Sequence, residues 1–130
     1  MLVSCLTNSY GRFGARGAIA NLRAAGLEHI ELPIRTAGRK SIFGDEPLVT
    51  HESTAEDLKA VDELLQSHGI SVSSCNISSG NPLERTVVEI TKRKLDLAAH
   101  FGVALAVGGA GEAGDAESRE CEEPAPGRDR

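Results

Sequence analysis

An α/β fold built on a parallel sheet of about four strands and three helices is predicted by three observations. A helical pattern ends in glycine and passes straight into an apolar run at Ala24-Ala25-Gly26-Leu27-Glu28-His29-Ile30-Glu31-Leu32, at Ser67-His68-Gly69-Ile70-Ser71-Val72-Ser73-Ser74-Cys75, and at His100-Phe101-Gly102-Val103-Ala104-Leu105-Ala106-Val107. The joints from helix into strand are very short, whereas the segments after strands are long and polar. The order strand-helix-strand, repeated, needs crossover helices and therefore parallel pairing.

The opening strand lies near Leu2–Thr7. A first helix runs roughly from Arg12 to Ala25, with Ala15, Ile19, Leu22 and Ala25 on one face. Gly26 then closes it in the left-handed conformation that glycine reaches without steric cost. The second strand alternates Ile30 and Leu32 with His29, Glu31 and Pro33. If the aliphatics face the helices, Glu31 faces the other way, near the strand's carboxyl end. Residues 35–52 form a long loop carrying Gly38, Gly44, Pro47 and the basic cluster Arg35, Arg39 and Lys40.

The second helix opens with Ser53-Thr54-Ala55-Glu56, read as a capping box with Ser53 as cap and Glu56 returning the bond. Its apolar stripe is Ala55, Leu58, Val61, Leu64 and Leu65. The third strand ends at Asn76, followed by a Ser/Gly/Asn-rich loop. The third helix follows Asn81-Pro82, a cap and a first-turn proline. Val87, Ile90, Lys94, Leu97, Ala98 and Phe101 share its face, with Lys94 expected to snorkel from the edge. After the fourth strand, Gly108-Gly109-Ala110-Gly111 leads into residues 112–130, which contain no Val, Ile, Leu, Met, Phe, Tyr or Trp. That segment cannot offset its ordering entropy and is expected to be a disordered acidic tail, leaving 1–111 as the folded part.

Composition excludes several functions. Of 19 acids and 14 bases, residues 112–130 hold seven and three, so the net charge of −5 belongs mostly to the tail and the body is nearly neutral. A nearly neutral body with 3% aromatics suits neither a phosphate-backbone binder nor a single-strand stacking platform, so no nucleic-acid partner is expected. No apolar run is long enough to cross a membrane. Cys5, Cys75 and Cys121 are an odd count without a CxxC pair, which favours a reducing compartment over a disulfide framework. Leu2-Val3-Ser4-Cys5 has the outline of a lipoprotein box but no basic and hydrophobic lead, so the expected location is cytoplasmic.

In parallel α/β folds ligands meet the carboxyl ends of the strands, so the ligand-facing loops should be 8–14, 35–52, 77–82 and 108–111. Glu31 is the most informative acid, as hydrogen-bond acceptor or general base, with pairing to an Arg or Lys as the competing reading. Arg35, Arg39 and Lys40 could meet a phosphate or carboxylate, or simply solvate the loop. Gly11-Arg12-Phe13-Gly14-Ala15-Arg16-Gly17 follows a strand and opens a helix, but its GxxGxxG spacing departs from the dinucleotide fingerprint. A small nucleotide-binding domain is therefore a minor alternative. His29, His51, His68 and His100 show no metal-ligand spacing. His68 and His100 read as helix-end residues, and His51 as exposed on a loop.

Together these features resemble the amino-terminal half of the xylose-isomerase-like TIM-barrel superfamily, the sugar phosphate isomerases and epimerases. The resemblance is carried by Gly26-Leu27-Glu28-His29-Ile30-Glu31-Leu32, by Leu64-Leu65-Gln66-Ser67-His68-Gly69-Ile70-Ser71-Val72-Ser73-Ser74, and by Lys94-Leu95-Asp96-Leu97-Ala98-Ala99-His100-Phe101-Gly102-Val103. It covers residues 1–111 and implies a partial (β/α)8 barrel. A complete barrel takes about 250 residues, and 130 supply roughly half.

The resemblance also implies isomerisation or epimerisation of a sugar or sugar phosphate by proton transfer next to a carbonyl. The divalent ion, Mn or Mg, would be held by strands 5 to 8, so no cofactor site is expected within this chain. Glu31 matches a substrate-side position, with Asn76 and Arg35 as further substrate-binding candidates. The related zinc-dependent abasic-site endonucleases place His at the ends of strands 3 and 4, where this sequence has Asn76-Ile77 and Gly108-Gly109. A truncated, inactive half-barrel is the expectation, consistent with a frame change upstream of the Ala/Gly/Pro/Arg-rich tail. The interaction alternative is a pair of half-barrels covering each other as a homodimer.

Overall fold

In the computed structural model, residues 1–39 and 41–109 are described. The acidic segment 112–130, expected to be disordered, lies outside them, as do Lys40, Ala110, Gly111 and Cys121. Strand β1 (Cys5–Leu6) leads into a 3-10 stretch, Thr7–Phe13, and then helix α1 (Gly14–Asn21). A second 3-10 turn, Leu22–Ala25, ends at Gly26 with φ 76°. Strand β2 (His29–Arg35) follows, then the short β3 (Val49–Thr50), α2 (Ala55–His68), β4 (Ser71–Asn76), α3 (Arg85–His100) and β5 (Ala106–Val107).

All pairings are parallel, in the order β1-β2-β4-β5, which is the crossover topology expected. β3 pairs with β2 at Ile34 and Arg35, beyond the stretch that β1 occupies at Ile30 and Glu31. This fifth strand sits inside the loop expected to be irregular. Leu48 and Val49 explain it, because Val49 is buried in the core and the chain must reach it next to Ile34.

β2 shows the alternation read from the sequence: Ile30, Leu32 and Ile34 are fully buried, and the residues between them are half-buried. The three aliphatics join Ile19 and Leu22, Leu58, Val61 and Leu65 of α2, and Leu97 of α3 in one core. Each such side chain contributes roughly 1.5–3 kcal/mol by leaving water. The buried helical stripes are shorter than their sequence pattern predicts, since Ala25 and Ala55 are exposed.

Two helix starts differ from expectation. Thr54, not Ser53, caps α2: its hydroxyl accepts from Asp57 N, and the Asp57 carboxylate accepts from Thr54 N at 2.7 Å. Ser53 is instead buried, its hydroxyl accepting from Thr50 N at the end of β3. Asn81-Pro82 does not open α3. Asn81 Oδ1 accepts from Leu83 N, and Glu84 N donates to the Asn81 carbonyl, making a turn before the helix starts at Arg85. Gly69 ends α2 at φ 63° as expected, with its N–H donating to the Gln66 carbonyl.

Thr54→Ala is expected to lower the unfolding free energy by ~1 kcal/mol through loss of the cap. Glu56→Ala, at the position first expected to close the box, should leave it unchanged in the same urea titration.

Candidate functional site

Strand parity and register build a polar surface on the face of the sheet away from the core. Leu6, Glu31 and Ser74 form one row across β1, β2 and β4, and Pro33, Asn76 and Val107 form the next across β2, β4 and β5. Glu31 points away from the core, as expected. Its carboxylate accepts from the Ser74 hydroxyl at 3.2 Å, so the Arg or Lys partner considered from sequence is replaced by a hydroxyl.

The carboxyl ends of β2 and β4 meet in a pocket of about 170 Å³ lined by Asn8, Pro33, Ile34, Arg35, Thr36, Arg39, Asn76 and Ser78. Three of the four loops expected to face a ligand thus converge here. Of the three sequence candidates, Arg35 and Asn76 line the pocket. Glu31 sits one row behind it on the same face.

Arg35 is already engaged. Its Nη2 donates to Asp45 Oδ2 at 2.8 Å and to Asn8 Oδ1 at 3.3 Å, and Asp45 also accepts from the Ser41 hydroxyl. Asp45 is only 5% exposed and Arg35 19%. Burial pulls the Asp45 carboxyl upward, but the Ser41 bond and the Arg35 charge outweigh it and hold the pKa below its ordinary value. Gly14, φ 54°, lies against this carboxylate: a Cβ there would sit 2.6 Å from Asp45 Oδ2. Glycine at the start of α1 is therefore required by the Arg35–Asp45 pair as well as by its backbone. The second half of the long loop is clamped rather than solvated.

His51 corrects another expectation. It is largely buried, and its Nδ1 accepts from Ala37 N at 3.0 Å, pinning the first turn of the loop. His100 pairs instead with Asp62 of α2 at 2.8 Å, which is a helix-end role close to the one expected.

Lys94 is the residue whose role sequence reasoning missed. Rather than snorkelling, it is fully buried, and its Nζ donates to the Ser78 carbonyl at 2.7 Å beneath the pocket. Burial pushes its pKa down to about 8, and the Arg39 charge pushes the same way. The available signal was its position in the middle of the apolar stripe of α3.

Among the described residues, no three His, Cys, Asp or Glu side chains come together to hold a metal ion. No described helix is long and apolar enough to cross a membrane. No family model, curated protein or solved structure matches the chain.

Lys94 generates a pH signature. Its folded pKa lies near 8 and its ordinary value is 10.5. Between these the unfolded chain holds the extra proton, so stability rises with pH. The gain from pH 7.5 to 9 should be ~1 kcal/mol in urea unfolding. Above the ordinary thiol value of 9.0 the trend is opposed by Cys75, whose pKa burial raises to about 11. Lys94→Met should flatten the rise, and a variant curve parallel to the parent would refute this origin.

Proposed function

We propose that this chain is the substrate-binding first half of a xylose-isomerase-like barrel, a sugar phosphate isomerase/epimerase-like protein of the cytoplasm. The observation that carries the reading is the convergence of Arg35, Asn76 and Glu31 on one face at the carboxyl ends of parallel strands. Ligands of parallel α/β folds bind at this end. The side chains suit a polyol: Asn76 and Ser78 can exchange hydrogen bonds with hydroxyls, and the Glu31 carboxylate can accept from one beside Ser74. Glu31 orients a hydroxyl and, as the lone carboxylate of its row, lacks the second acid that acid–base transfer next to a carbonyl needs. The chain alone therefore binds a sugar or sugar phosphate without converting it.

Titration calorimetry with a ketose phosphate should give saturable binding, weakened about tenfold in Glu31→Gln by loss of a charged hydrogen bond. No epimer should form when Mn or Mg is added. Absence of any sugar binding would end the reading, and turnover with stoichiometric metal would overturn the inactivity.

A second reading, a homodimer of half-barrels, is favoured by the apolar side chains left on the open face. Leu105 is 66% exposed, Val107 45% and Leu6 38%, at the two edges of the sheet. Each edge needs a parallel neighbour, and a second copy would supply both. Sedimentation should then show a dimer that dissociates on dilution, with Leu105→Glu shifting it to monomer. A concentration-independent monomer would remove this reading.

A further inference from the structure

We propose that the pocket at the carboxyl ends of β2 and β4 is an oxyanion subsite that takes the phosphate group of a phosphorylated ligand, with Arg39 as its primary charge. The inference deepens the sugar-binding reading and rests on it for the rest of the ligand.

Hydrogen-bond accounting points to the ligand class. The pocket is lined by Asn8, Arg35, Thr36, Arg39, Asn76 and Ser78, with no Asp or Glu among its lining residues. Three of its side-chain oxygens each already accept one bond. Asn8 Oδ1 takes a bond from Arg35, Asn76 Oδ1 takes one from Ser78 N at 3.1 Å, and Ser78 Oγ takes one from Gly109 N at 3.2 Å. The donors that make no bond among the described residues are the amide NH2 of Asn8, the amide NH2 of Asn76 and the hydroxyl hydrogen of Ser78. A site lined by two guanidinium groups and these donors, with no carboxylate, favours an anion over a cation.

Charge agrees. Arg35 is neutralised by Asp45, whereas Arg39 makes no ion pair among the described residues. Its guanidinium lies over the loop after β4, with Nη2 3.6 Å from the position a Cβ on Gly80 would take. Lys94 adds a second positive charge from below, buried against the Ser78 carbonyl. A dianion bound above would offset both cations, and the planar Arg fork suits phosphate geometry. At about 170 Å³ the pocket accommodates a phosphate group rather than a whole ligand. The sugar ring would extend along the open face toward Glu31. Lys94 acts through Ser78 and is a positioning residue.

The test is calorimetry on the full chain with three probes: inorganic phosphate, a ketose phosphate and the free ketose. Phosphate should bind, and the ketose phosphate should bind roughly tenfold more tightly than the free ketose. Arg39→Gln should abolish that advantage and the phosphate isotherm while leaving free-ketose affinity unchanged. Arg12→Gln, which removes the same charge elsewhere, should change neither. Lys94→Met should weaken phosphate several-fold. Arg39 is exposed, so its variant remains folded, as circular dichroism would verify, should Lys94→Met fail to fold. Equal affinity for ketose and ketose phosphate overturns the subsite and leaves sugar binding intact. Arg39-dependent phosphate binding without any sugar affinity does the reverse. Equal losses in Arg39→Gln and Arg12→Gln mean nonspecific attraction and also overturn it.

Discussion

Alternate residues of β2 face opposite sides of the sheet, and the rest of the molecule depends on keeping that parity. Ile30, Leu32 and Ile34 are dry against three helices, and Glu31, Pro33 and Arg35 look the other way. Parity has to be matched on β4, and there it is kept by one irregularity. Ile30 pairs with Val72 but Glu31 pairs with Ser74, so Ser73 is an extra residue. Without that bulge Ser74 would oppose Leu32 on the core side and Cys75 would turn to the open face. With it, Cys75 is fully buried beside Leu32, and Ser74 reaches Glu31. The displaced Ser73 is satisfied by the Ile30 carbonyl and by Ser4. Bulges commonly re-aim a side chain near a site, and this one aims Ser74.

The second organising interaction fastens the long loop to the end of that strand. Arg35 continues the open-face parity of β2 and meets Asp45, ten residues on, in a largely dry ion pair. Pairs of this kind are balanced against the cost of dehydrating both charges, so either member left alone is expensive. Ser41, Asn8 and the bare Cα of Gly14 complete the surroundings. Three separated segments, the turn after β1, the start of α1 and the loop after β2, are thus registered on one ion pair.

Much of this was legible in the sequence because it rests on periodicity and punctuation. Gly26 and Gly69 marked the helix-to-strand joints, and the two-residue alternation of Ile30-Glu31-Leu32 placed Glu31 on the open face. Features set by tertiary competition were not legible. Ser53 and Thr54 are both good caps, and the choice fell to Thr54 because Ser53 is drawn down to Thr50. Asn81-Pro82 has the composition of a helix start, yet the same Asn side chain closes a turn equally well. The basic cluster at 35–40 announced cations without showing that, among the described residues, Arg35 is ion-paired and Arg39 is not. His51 read as a surface residue because nothing local reveals that Ala37 N, fourteen residues away, needs an acceptor.

Lys94 joins the stability of the fold to the character of its pocket. A methionine there would fill the same apolar stripe without dehydrating a charge, so the lysine costs stability that the core alone does not require. Its single described bond goes to the carbonyl of Ser78, the residue whose amide organises Asn76 and whose hydroxyl meets Gly109. Removing the ammonium would take from that carbonyl the donor it has here and loosen the turn that orients two pocket donors at once. Local conflicts between a residue and its surroundings tend to persist where function needs them. Here the conflict lies directly beneath the polar rim, and Lys94 is the one charged side chain among the buried positions described.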